Sequence, residues 1–390
     1  MRRAVLSVLL LVLAMTGNAL GQAAPKPFDW NAYAERPFTT PSPEAGSLQL
    51  FSSETVLADQ HYTHYSFLLA TPDGTLLAVS YEGDQHGMGQ ESSVVLRRSG
   101  DGGRTFSEGR AILEGRGQDL EWRIGASGVL PDGSVMVTAL RLDRKTRDWT
   151  LGVITSTDQG QTWSAFRELN ISPKNPSGRK GSQMITNARI IATPGGRLLM
   201  MSFLGAANYV MTSDDRGWNW QLRRIVSASK ESTGIDYSEM AIAALDDDRY
   251  VTVARVDRQR SSMAQFVTED GGDTWRDLGQ LNLPVSGGYV MPSLDLVTWQ
   301  GEPRLVLVAT DRATGRSFLR TAGPDDAMAS ARVWGPPRDF AWNMKVRSGY
   351  PSPLFDVKRN LGLAVNHRET GEFTTQLLLH RFPLDGAMRP

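Results

Sequence analysis

One eight-residue phrase occurs four times in this chain, and its period limits the folds open to it. It reads SGDGGRTF at Ser99–Phe106, STDQGQTW at Ser156–Trp163, SDDRGWNW at Ser213–Trp220 and TEDGGDTW at Thr268–Trp275. The central aspartates Asp101, Asp158, Asp215 and Asp270 lie 57, 57 and 55 residues apart. A fixed spacing of this size marks a repeat architecture. Asp-x-Gly is turn chemistry, because the carboxylate accepts from nearby backbone N–H groups and glycine tolerates positive φ. Each copy follows a β-rich run such as Ser93–Arg97 or Leu151–Thr155. The phrase therefore predicts a rigid hairpin, its aspartates structural rather than catalytic.

A second series of turns runs in parallel. Pro72-Asp73-Gly74, Pro131-Asp132-Gly133, Pro194-Gly195-Gly196, Asp246-Asp247-Asp248, Gln300-Gly301-Glu302 and Lys358-Arg359-Asn360 each separate two apolar runs. Six hairpins at this spacing predict an all-β fold, a six-bladed β-propeller of four-stranded antiparallel blades. The segment Ser47–Val56 is expected to share one blade with Thr374–Phe382, closing the ring and removing exposed edges.

Ahead of the repeats, Met1-Arg2-Arg3, the apolar run Ala4–Met15 and the small residues around Gly21 read as a signal peptide over residues 1–21. Residues 22–46 are rich in Pro and Ala and read as a linker, and residues 47–390 form the propeller. The leader is too short to span a bilayer, as is every other apolar run, so a secreted or periplasmic protein is expected. There is no cysteine, hence no disulfide framework. Forty-two basic residues balance 42 acidic ones, which argues against nucleic acid as a partner. The five histidines show no metal-ligand spacing, and neither metal nor cofactor is expected.

Several polar residues sit where the repeat does not require them. Glu239 opens the first strand of the fourth unit and Arg255 ends its second. Arg316 starts a strand of the fifth unit, Tyr350 opens the first strand of the sixth, and His64 holds the matching place in the first. The inner-strand ends of a propeller converge on one mouth of the channel, so these five are expected to share a pocket.

On these residues the chain resembles the sialidase (neuraminidase) superfamily, in which the octapeptide is the Asp box. Tyr65–Ala78 is similar to that family's first blade. Gly349-Tyr350-Pro351-Ser352 is similar to its tyrosine-nucleophile segment, and Ser238-Glu239 with Arg255 to its glutamate and a following arginine. The resemblance implies a retaining exo-glycosidase acting on a glycan that ends in an acidic sugar. Arginines hold the substrate carboxylate bidentately. A neutral phenol, Tyr350, attacks where a carboxylate would be repelled, and Glu239 takes its proton. Arg255, Arg316 and His64 are the implied binding residues. The acid/base is implied in Gly83–Glu91, where Asp84 is favoured over Glu91 and His86.

The chain departs from that pattern in the first blade. His64 and Asp84 stand where two arginines are expected. A neutral histidine lacks an arginine's charge, and a protonated one has it only below a pKa of about 6.5. Two further readings therefore stay open. One is an enzyme of the same fold with another substrate, a different glycosidase or a polyuronide lyase. The other is a non-catalytic propeller that binds glycans or proteins.

Overall fold

Both series of turns fall between antiparallel strands, as the sequence leads one to expect. The structure is a computed structural model that describes residues 48–50, 52–84, 90–174, 184–204, 207–225, 236–257, 262–284, 286, 288–344, 348–371 and 373–388. The expected leader, the linker and His86 lie outside the described residues. The described residues all belong to one compact unit, Phe38–Pro390.

The fold is all-β and propeller-like. Pro72-Asp73-Gly74 joins strands Ser53–Ala70 and Leu76–Gly83, and the first octapeptide joins Ser92–Ser99 to Arg110–Leu113. The same order of strand, tight turn, strand, strand, octapeptide, strand recurs from Leu120–Val129, from Ile185–Ala192 and from Asp236–Ala244. Strands Tyr289–Trp299, Glu302–Asp311, Arg316–Ala322 and Arg338–Trp342 pair without an octapeptide. A short helix, Pro324–Ala329, stands at that point of the unit.

Hydrogen bonding groups these strands into four sheets of five, nine, four and seven strands rather than into separate four-stranded blades. Two junctions explain the difference. Arg189 pairs in parallel with Ser127, which joins two repeats into the nine-stranded sheet. The 18-residue strand Ser53–Ala70 serves two partners. Its first part lies against Thr374–Pro383, with Ser53 opposite Arg381, and its second part lies against Leu76–Gly83. The first long strand of the fold and the last are thus paired, as expected for closure. Leu48–Gln49 instead runs parallel to Arg338–Asp339 in the five-stranded sheet.

The core lies between consecutive repeats. Tyr62, Phe67 and Val79 pack against Trp122, Ile124 and Val137. Leu363, Val365 and Leu379 pack against Leu68, Leu76 and Ala78. A strand covered on both faces loses the alternation of a half-exposed one, and Leu76–Gly83 is buried at every position. A partly buried ion pair, Arg189 to Asp295 at 2.7 Å, links strands Ile185–Ala192 and Tyr289–Trp299, which belong to different sheets.

The octapeptides behave as turn chemistry. In the second copy Asp158 accepts from the Thr162 amide (2.8 Å), the Thr162 hydroxyl (2.6 Å) and the Ser156 hydroxyl (2.8 Å). Ser156 in turn accepts from the Gly160 amide, and the Trp163 indole donates to the Gly160 carbonyl. These hydrogen bonds hold the Asp158 pKa down to about 2. In the third copy Asn219 replaces the threonine and donates to Asp215 in its place.

Candidate active site

The first strands of the repeats share an irregularity that aims their side chains. Register slips by a residue or more between His64 and Ser66, Ile124 and Ser127, Asn187 and Ile191, Tyr237 and Met240, Val290 and Ser293, and Gly349 and Ser352. Such bulges twist a strand and turn a side chain out of the pleat. At three of them a non-glycine residue takes positive φ: Tyr65 (46°), Ala188 (61°) and Tyr350 (67°). A tyrosine held there carries roughly 1–3 kcal/mol of backbone strain, which the surrounding fold must offset.

Glu239, Tyr350, Tyr65 and Arg255 meet at these bulges. The Tyr350 hydroxyl donates to Glu239 Oε1 at 2.6 Å, and the Tyr65 hydroxyl donates to the same oxygen at 3.2 Å. Glu239 Oε2 accepts from Arg255 Nη1 at 2.9 Å and from the Met291 amide at 3.1 Å. Arg255 Nη1 also lies 3.5 Å from the Tyr350 hydroxyl. Arg312 places its guanidinium 5.3 Å from the centre of the Tyr350 ring and anchors its Nε on the Ser348 carbonyl at 2.6 Å. His64 packs edge-on to Tyr65 (4.1 Å between centroids), Tyr350 (4.6 Å) and His367 (4.9 Å).

The electrostatics follow from that packing. Burial alone would raise the Glu239 pKa. The Arg255 charge, the hydrogen bonds from Tyr350 and Arg255, and the nearby Arg312 outweigh it, so the carboxyl stays below its ordinary value. Burial, and then the Glu239 charge, pushes the Tyr350 phenol well above its ordinary value, against Arg255 and Arg312. Tyr65 is raised by burial first, then by Tyr350 and Glu239, with Arg123 opposing. At neutral pH the centre is thus an ionised carboxylate holding two neutral phenols beside arginine charges. A proton can pass from a phenol to the carboxylate along a short hydrogen bond, and an anion can be drawn to the arginines.

The other sequence-derived residues stand elsewhere. Arg316 is committed to Asp339 at 2.8 Å, on the third and fourth strands of its repeat. Arg312, four residues earlier in the turn, is the arginine that reaches Tyr350. Asp84 is exposed at the end of Leu76–Gly83 and pairs with Arg116 at 3.6 Å. Glu91 accepts from the Gly117 (2.7 Å) and Asp119 (3.0 Å) amides and so fastens a turn. Sequence reasoning did not single out Tyr65, Arg312, Met291 or His367. Arg312 follows the end of strand Glu302–Asp311 directly, and an arginine at that strand end is the signal the sequence holds for it.

Known proteins resemble this chain in fold. A protein of unknown function from Dyadobacter fermentans superposes with a TM-score of 0.67 at 14% identity, over 86% of this chain and 98% of that one. The Hadza microbial sialidase Hz136 gives 0.64 at 17% identity, over 84% of this chain and 66% of its own. Trypanosoma rangeli sialidase in complex with sialic acid gives 0.65 at 15% identity, over 86% and 59%. The match thus spans less than two thirds of each of these two sialidases, 66% of one and 59% of the other. At these identities the likeness is one of fold. No curated protein matches the sequence. Residues 130–383, well over half the chain, match the family model for the BNR repeat-like domain. With the octapeptides in their turns and a sialidase-like propeller around them, the chain belongs to the BNR repeat-like domain family.

Proposed function

We propose that the protein is an exported, six-bladed propeller enzyme, a retaining exo-glycosidase that removes a terminal sialic acid or a related acidic sugar from glycans. The observation that carries this reading is the 2.6 Å contact from the Tyr350 hydroxyl to Glu239 Oε1, with Arg255 on both groups. The blade count rests on the tight turns and on the bulged first strands, each followed by three antiparallel partners once the two fused sheets are divided at their junctions. Export rests on the leader, residues 1–21.

In this reading Arg255 and Arg312 draw the substrate carboxylate, and His64 supplies ring surface beside it. The Tyr350 O–H bond breaks as its proton passes to Glu239 Oε1, and the phenolate oxygen bonds to the anomeric carbon. The glycosidic bond breaks at the same centre. Asp84, exposed and paired with Arg116 at 3.6 Å, gives the leaving oxygen its proton. Asp84 then takes a proton from water, whose oxygen displaces the tyrosine, and Glu239 returns the proton to Tyr350.

A second reading is favoured by one observation. His64 packs against Tyr65 and Tyr350 where the sialidase resemblance implies an arginine. Loss of that charge fits a substrate other than sialic acid, taken by another glycosidase or by a polyuronide lyase. The test is a panel of aryl α-sialosides, aryl uronides, neutral aryl glycosides and polyuronides. Turnover of an acidic aryl glycoside that Tyr350→Phe lowers by about 10³-fold or more supports the first reading. Turnover of a polyuronide with a rise in ultraviolet absorbance from the new double bond supports the second. No turnover of any, with glycan binding unaffected by Tyr350→Phe, leaves a binding propeller.

A further inference from the structure

Glu239 Oε1 is shared by two phenols, and only one of them has a role above. We propose that Tyr65 is a positioning residue for the Tyr350–Glu239 pair: its hydroxyl sets how readily Glu239 Oε1 takes the Tyr350 proton. This rests on the reading of Glu239 as the base for Tyr350.

The backbone is strained to place this side chain. Tyr65 sits at positive φ, 46°, within the slip between His64 and Ser66. Its ring is held between His64 at 4.1 Å and Tyr350 at 4.5 Å, which directs the hydroxyl to Glu239. An ionised carboxylate offers about four lone-pair sites. Tyr350, Tyr65, Arg255 and the Met291 amide supply four donors, two to each oxygen. The carboxylate plane is thereby fixed. Each donor to the charged form lowers its affinity for a proton.

The two contacts on Oε1 are unequal, 2.6 Å from Tyr350 and 3.2 Å from Tyr65. The short one is the path of the proton. The long one tempers the base without displacing the nucleophile. When the Tyr350 O–H bond breaks and the proton bonds to Oε1, that oxygen changes from acceptor to donor. A phenol can follow this change by rotating its own O–H away and accepting, which an arginine or lysine in its place could not do. Tyr65 thus serves both protonation states of Glu239.

Other charged and titratable groups surround the centre. Arg255 and Arg312 face Glu239, Arg123 lies near Tyr65, and His64 and His367 lie against Tyr350. The Tyr65 hydroxyl donates to the same Oε1 as Tyr350, so it is the group to remove. Tyr65→Phe does so and keeps the ring contacts.

The experiment follows the Glu239 carboxyl carbon by NMR in protein carrying labelled glutamate, with the signal assigned by its loss in Glu239→Gln. In Tyr65→Phe the titration midpoint of Glu239 rises by about one pH unit, the size expected for losing one hydrogen bond to a charged group. In Tyr350→Phe it rises further, because the lost bond is the shorter one. An unchanged midpoint in Tyr65→Phe, beside a raised one in Tyr350→Phe, overturns the proposal. Tyr65→Met also lacks a donor and gives the same test should the phenylalanine variant not fold. On any glycoside the protein turns over, Tyr65→Phe moves the acidic limb of the pH–rate profile upward by the same amount. A protein that turns over nothing sinks the enzyme reading, while the midpoint still judges Tyr65.

Discussion

Glu239 accepts four hydrogen bonds in a buried place, and three of the four donors come from other repeats of the ring. Its partners decide its state: burial raises its pKa, and Arg255, the hydrogen bonds from Tyr350 and Arg255, and Arg312 bring it below its ordinary value. The sequence made Glu239, Arg255 and Tyr350 legible because each falls at a strand end in phase with its repeat. It did not reveal Tyr65, since the bulge that turns this side chain toward Glu239 leaves no mark in a residue pattern. His380 illustrates the same physics outside the site. It lies inside the fold with Nδ1 3.9 Å from Glu54, and burial, helped by Arg368 and opposed by Glu54, lowers its pKa to about 4. A histidine whose folded pKa is lowered favours the unfolded chain once protons are plentiful. Its contribution to stability is complete above pH 6.5 and is lost as the pH falls toward 4. The loss amounts to roughly 3 kcal/mol. Urea unfolding at pH 7 and at pH 4.5 measures this, and His380→Gln should flatten the difference. An equal drop in the variant would assign the acid sensitivity to other groups.

At the scale of strands and turns, the octapeptide is legible as hairpin chemistry because the hydrogen bonds of its aspartate are local. Its partners across the repeats were not legible. Arg110 donates to the Gly160 and Gln161 carbonyls of the next octapeptide, and Arg167 donates to the Gly217 carbonyl of the one after. Arg167 also lies over the exposed Trp218 ring at 4.5 Å. These arginines follow the closing aromatic by four residues, a second repeat hidden inside the first. The inner strands carry the corresponding risk. Gly349 has φ 119° directly before Tyr350, and a Cβ there would meet Val290 Cγ2 at 2.8 Å and Thr310 Cβ at 3.1 Å. Gly349→Ala is expected to destabilise the fold by about 2 kcal/mol or more, from strain and overpacking. It should also lower turnover by displacing Tyr350. Urea midpoints and glycoside assays on the same preparation check both, and a variant indistinguishable from the parent would show that this bulge tolerates a side chain.

Across the whole molecule, the repeat count gave the class of fold and the phase of the site, while hydrogen bonding fused what the repeats would separate. The fusion at Ser53–Ala70 brings the chain's first long strand beside its last, and the same strand carries His64 and Tyr65 to the face of Tyr350. Closure and site assembly are therefore one event, which is why residues almost 300 positions apart meet there. Arg316 shows the limit of counting: phase selects a strand end, but only packing decides which neighbour a side chain takes, here Asp339. The central claim is that Tyr350 becomes bonded to the sugar. It is tested most directly by incubating the protein with a fluorinated acidic glycosyl fluoride that forms a slowly hydrolysed adduct, then mapping the mass increase by peptide mass spectrometry. The account predicts one sugar per chain, on Tyr350, absent in Tyr350→Phe and slowed in Glu239→Gln. An adduct on another residue, or steady turnover of acidic glycosides with none at Tyr350, would contradict it.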